Sequence, residues 1–154
     1  MSRVLLLDSG PLGLITQPKI STEVVAINRW LLDRLRADDQ IRVPAIVHYE
    51  IRRELLRAEK NAGLIRLDGF VESDADRYLP LTDQALRLAA ELWAQTRRGG
   101  RPTAEALALD VDVILAAHAQ ALTLKANSEI LVVTTNPRHL RPFVDARIWA
   151  DIAD

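Results

Sequence analysis

Two kinds of apolar pattern alternate along the 154-residue chain. Short runs rich in Val, Leu and Ile predict strands at Arg3–Leu7, Ile41–Val43, Tyr78–Leu81 and Ile130–Thr134, with Arg147–Trp149 as a candidate fifth. Between them the spacing turns helical. Thr22–Arg36 places Val24, Ile27, Asn28, Leu31 and Leu35 on one face, with Trp30 beside it. Pro44–Asn61 carries Val47, Ile51, Leu55 and Ala58 on one stripe, and a weaker helix is predicted over Leu64–Glu72 despite Gly69. Thr82–Arg98 has a cap at Thr82, Asp83 in its first turn, Arg97 and Arg98 in its last, and Gly99-Gly100 as a stop. Its buried face is Ala85, Leu88, Ala89, Leu92 and Thr96. Asp112–Lys125 leaves almost no polar side, which predicts a central, buried helix.

Strands alternating with helices, and strands that are apolar throughout, belong to a parallel sheet covered on both faces. The predicted fold is therefore a single α/β domain spanning residues 1–154, a three-layer α/β/α sandwich with a central parallel sheet of four to five strands. In such a sheet ligands bind in the crevice at the carboxyl ends of the strands.

Composition narrows the chemistry. There is no Cys, which excludes thiolate metal sites, disulfides and a Cys nucleophile. The apolar run Val4–Leu7 is too short for a signal peptide or a membrane span, so a cytoplasmic protein is expected. Net charge is −1, and of 20 basic residues only Lys19, Lys60 and Lys125 are lysine. Arginine suits phosphate and carboxylate recognition; it is also what coding bias and surface ion pairs produce.

The crevice rule directs attention to acids. Asp8 directly follows the first strand, either as an Asx-turn residue before Ser9-Gly10-Pro11 or as a functional carboxylate. Glu50 lies at the border of the second helix's stripe, facing the crevice or pairing with Arg53 or Arg57, and Glu54 lies one turn on. Asp112 begins the buried helix on the face that carries Ala116, Ala119 and Thr123. Asp110, on the opposite face, is the expected cap. Thr134-Thr135-Asn136-Pro137 closes the fourth strand, where Asn136 either caps a turn or orients a water or metal ligand. Hard oxygen ligands of this kind suit Mg²⁺ or Mn²⁺ and phosphoryl chemistry. The three histidines share no ligand spacing, and His118 is expected as a hydrogen-bonded core residue.

The set resembles the PIN domain, and within it the VapC-type toxin ribonucleases of prokaryotic toxin–antitoxin pairs. The resemblance rests on Leu5-Leu6-Leu7-Asp8-Ser9-Gly10-Pro11-Leu12, Val47-His48-Tyr49-Glu50-Ile51-Arg52-Arg53-Glu54-Leu55, Asp112-Val113-Ile114-Leu115-Ala116-Ala117-His118-Ala119 and Thr134-Thr135-Asn136, in that order. It implies a metal-dependent endoribonuclease with Asp8, Glu50, Asp112 and Asn136 as catalytic residues. Asp8 and Asp112 would hold Mg²⁺ most directly, supported by Ser9, Thr134, Arg53, Glu54 and Asp110. It also implies a homodimer silenced by an antitoxin protein. The family commonly has another Asp where this chain carries His139, which leaves Glu54, Asp110 or His139 as substitutes, or else a degenerate PIN module that binds RNA or protein without cutting. A receiver-like phospho-acceptor domain is disfavoured because no Lys follows Lys125. Arg52, Arg53, Arg57, Arg97, Arg98, Arg101, Arg138 and Arg141 are candidates for phosphate contact, while aromatics, at 5%, offer no stacking signature.

Overall fold

The computed structural model describes residues 2–99 and 106–154, with the side chains of 106–108 left aside. Its strands are β1 (Val4–Leu7), β2 (Gln40–Pro44), β3 (Tyr78–Leu79), β4 (Ile130–Thr134) and β5 (Ala146–Ile148). All pair in parallel in the order β3-β2-β1-β4-β5. Every residue of β1 is buried, as are all of β4 but its first, because both strands are covered on each face. Six α-helices flank the sheet among the described residues: α1 (Ser9–Ile15), α2 (Thr22–Arg36), α3 (Ala45–Arg57), α4 (Asn61–Glu72), α5 (Asp83–Arg98) and α6 (Ala106–Lys125). The architecture is the predicted three-layer α/β/α sandwich. None of the described helices is long and apolar enough to cross a membrane.

The chain runs outward from β1 through β2 to β3, then returns through α5 and α6 to β4 on the other side of β1. The direction of winding thus reverses between β1 and β4. Such a switch point opens a crevice above the carboxyl ends of its two strands.

Helices α2 and α5 have the predicted bounds, and Thr82 caps α5 as expected, its Oγ1 accepting from Ala85 N; Ser21, not foreseen as a cap, accepts from Val24 N at the start of α2. Other boundaries moved. Helix α1 was not foreseen, since Ser9-Gly10-Pro11 reads as a turn. Glycine and proline sit in its first turn, where the backbone N–H groups lack helical partners in any case, so neither breaks it. Helix α3 ends at Arg57 rather than Asn61. Glu59 takes the left-handed conformation (φ 54°), its N–H reaching Leu56 O and that of Lys60 reaching Leu55 O. This is a Schellman closure with a glutamate in the usual glycine position, and so no sequence signal marked it. Helix α6 starts at Ala106, six residues before Asp112. Gly100 and Arg101, named above as a helix stop and a phosphate contact, lie outside the described residues.

The core joins β1 and β4 to Leu12 and Ile15 of α1, Ile27 of α2, Val47 of α3, Leu67 of α4 and Leu115 and Ala116 of α6. Trp30 meets Trp149 edge to face at 6.1 Å, and its Nε1 donates to Ile152 O, which ties the C-terminus onto α2. His118 is buried as expected but is not fully hydrogen-bonded, for Nδ1 has no partner. Burial lowers its pKa.

Candidate functional site

Asp8 stands at the carboxyl end of β1, at the switch point. It caps α1: Oδ1 accepts from Ser9 N at 2.8 Å. Its other oxygen, Oδ2, accepts from Thr134 Oγ1 at 2.8 Å, across the crevice from the end of β4. Thr134 is buried, and its hydroxyl also accepts from Asn136 N at 3.1 Å. The capping role of Asp8 is thus present, while its second oxygen is turned across the crevice to β4. Gly10 makes this fit possible, because a side chain there would run into Thr135. Asn136 itself is exposed at the mouth and its side chain makes no cap hydrogen bond.

Asp112 reaches the same crevice from α6. It does not begin that helix; it lies in its second turn. The nearest ionic partner is His139 Nδ1, 3.7 Å from Oδ2 and too far for a hydrogen bond. Burial, with the Asp112 side chain only 19% exposed, pushes its pKa up to about 6; Asp8 and more weakly Glu50 add repulsion, which His139 partly offsets. Asp8, Glu50 and His139 are thus the charged groups whose fields Asp112 feels across the crevice. Glu50 stays within 4.0 Å of Arg53 Nη2, on the crevice side of α3.

Glu54 and Asp110 do not join them. Glu54 is turned outward and bonded to Arg57, with Nη2–Oε2 2.9 Å, on a cleft between α1 and the α3–α4 corner. Asp110 is not a cap, because α6 begins a full turn earlier; it is exposed beside Trp93 on the α5–α6 face. Of the three substitutes considered for the missing acid, only His139 is beside Asp112. Thr134 as the buried donor to Asp8 has no local signature, since 126 residues separate them.

Among the described residues no group of three or more His, Asp or Glu side chains is placed to hold a metal ion. A cation that keeps most of its waters needs only one or two carboxylates, however, and Asp8 and Asp112 are two hard, mutually repelling oxygen donors. Asp8 and Asp112 therefore fit Mg²⁺ or Mn²⁺ better than a caged ion such as Zn²⁺.

No protein-family model and no curated protein matches the sequence. Solved structures do match the fold, over nearly the whole of both chains. VapBC2 from Rickettsia felis aligns over 95% of this chain and 98% of its own at TM-score 0.68 and 16% identity. FitAcB from Neisseria gonorrhoeae aligns over 96% and 99% at TM-score 0.66 and 20% identity. VapBC from Salmonella typhimurium aligns over 97% and 99% at TM-score 0.62 and 22% identity. The chain thus has the PIN-like fold of these structures.

Proposed function

We propose that the chain is a metal-dependent endoribonuclease acting in the cytoplasm as the toxin of a toxin–antitoxin pair. The observation that carries this reading is the carboxylate pair at the switch point: Asp8 oriented by Thr134 and Ser9, and Asp112 half-buried beside it with its pKa pushed up to about 6. Likeness in fold to VapBC and FitAcB supports the toxin assignment and a cognate antitoxin partner. The homodimer follows from the family resemblance alone.

Asp8 and Asp112 would hold Mg²⁺ or Mn²⁺, which supplies Lewis acidity towards water and the phosphodiester. Thr134 and Ser9 fix the rotamer of Asp8, so its free lone pairs need no reorganisation when substrate arrives. Glu50 adds negative charge on the α3 side, and Arg53 restrains it. His139 offsets charge on Asp112 when protonated, at the position where the family's further Asp is commonly found. The Asn136 amide, exposed and making no cap hydrogen bond, would orient water at the crevice. Glu54 and Asp110 drop out of the active group.

Asp8→Asn tests the assignment. The variant should keep the wild-type circular dichroism spectrum, lose calorimetric Mn²⁺ binding and cleave RNA roughly 100-fold more slowly or worse. Undiminished cleavage would sink it.

A further inference from the structure

The chain has only two tyrosines, and neither is in the core. Tyr49 is 56% exposed on α3, immediately before Glu50. Arg53, one turn on, stands over the Tyr49 ring at 5.2 Å while its Nη2 lies 4.0 Å from Glu50 Oε2. A flat, exposed aromatic face is thus bridged by a guanidinium to a carboxylate of the crevice. The ion pair to Glu50 is long, and Arg53 remains 45% exposed, so its charge is available to an incoming anion. By contrast Arg52 on the same helix is closed against Asp68 at 2.6 Å, and Arg57 against Glu54 at 2.9 Å. An exposed tyrosine loses nothing by its exposure if a second planar ring stacks on it. Beside a phosphodiester site, the ring on offer is a nucleobase.

We propose that Tyr49 and Arg53 form a stacking platform for one unpaired base of the RNA strand, adjacent to the Asp8–Asp112 crevice. The inference rests on the ribonuclease reading and makes it more specific. Tyr49 takes the base face, and Arg53 takes the neighbouring phosphate or the ring edge. Both are positioning residues. Only a strand with unpaired bases can use the platform, so the substrate class is single-stranded RNA or a loop rather than a duplex.

The test uses the full chain with Asp112→Asn to prevent cutting, and a short single-stranded oligoribonucleotide carrying 2-aminopurine at successive positions. Wild-type RNA cleavage is measured in parallel. Added Tyr49→Ala should weaken binding roughly 5- to 100-fold and abolish 2-aminopurine quenching at one position, while Tyr49→Phe keeps both. Arg53→Lys should retain the salt dependence of binding and lose part of the affinity. Unchanged binding in Tyr49→Ala, with RNA still cut by wild type, overturns the platform and leaves the nuclease standing. An equal loss of affinity for duplex RNA also overturns it, since no base face is free there. A wild-type chain that neither binds nor cuts RNA overturns both readings.

Discussion

The two ends of the sheet use the same side chains to opposite effect. At the amino end, Arg3 donates to both oxygens of Asp39, at 3.1 and 2.8 Å, and Arg34 donates to Asp39 at 3.2 Å and to Asp154 at 2.6 Å. At the carboxyl end, Asp112 feels the charges of Asp8 and Glu50, with the imidazole of His139 3.7 Å from Asp112 and the guanidinium of Arg53 4.0 Å from Glu50. Burial does not distinguish the ends. The Asp39 side chain, 4% exposed, is more deeply buried than that of Asp112, and desolvation pushes both carboxyls up. For Asp39 the hydrogen bonds and charge of Arg3 and Arg34 outweigh that push and hold it below the ordinary carboxylate range. For Asp112 the neighbouring acids Asp8 and Glu50 reinforce it, and His139 offsets only part of it. One end is closed ionically; the other is left open, and it is there that the proposed chemistry would take place.

Removing a partner should therefore hurt one end and help the other. Asp39→Ala leaves two guanidiniums, one of them buried, without their carboxylate and should cost about 3 to 5 kcal/mol in urea unfolding. Asp112→Asn should do the reverse in the presence of a chelator. The native carboxyl binds its proton more tightly than an ordinary aspartate does, so native stability falls as pH rises from about 4 to about 6, and the penalty is complete above that. The variant should then gain up to about 3 kcal/mol at pH 7.5 and nothing at pH 4. A gain that did not depend on pH would break the comparison.

Thr134→Val tests how far the open end is still held in place. It strips one hydrogen bond from Asp8 and one from Asn136 N, and should cost about 1.5 kcal/mol by thermal or chemical unfolding. Arg147→Ala makes the smallest change. Arg147 is ion-paired to Asp145 at 2.9 Å at the amino end but is 40% exposed, and its loss should move stability by no more than about 0.5 kcal/mol. A larger effect would mean that the charge network, rather than its burial, sets the strength of that end.

Local chemistry carried much of this into the sequence. Helices α2 and α5 were legible because their apolar spacing is unbroken and, for α5, because Thr82 caps it. Strand β4 was equally clear. What failed were the boundaries whose cause is not local. Asp110 reads as a cap only if α6 begins beside it, and the α3–α4 break depends on Glu59 accepting a strained conformation that its neighbours impose.

The candidate site divides in the same way. The sequence alone marked Asp8, Glu50 and Asp112, since each is a carboxylate at a strand end or on a face bordering the core, and patterning of that kind is a short-range property. It could not separate His139 from Glu54 and Asp110, or pair Thr134 with Asp8. Those relations depend on which strands lie next to one another, and here β1 and β4 become neighbours through a crossover of more than a hundred residues. Hydrophobic periodicity decides what each segment becomes. Only the packing of the sheet decides which carboxylates share a crevice, because their repulsion and burial exist once the segments have met.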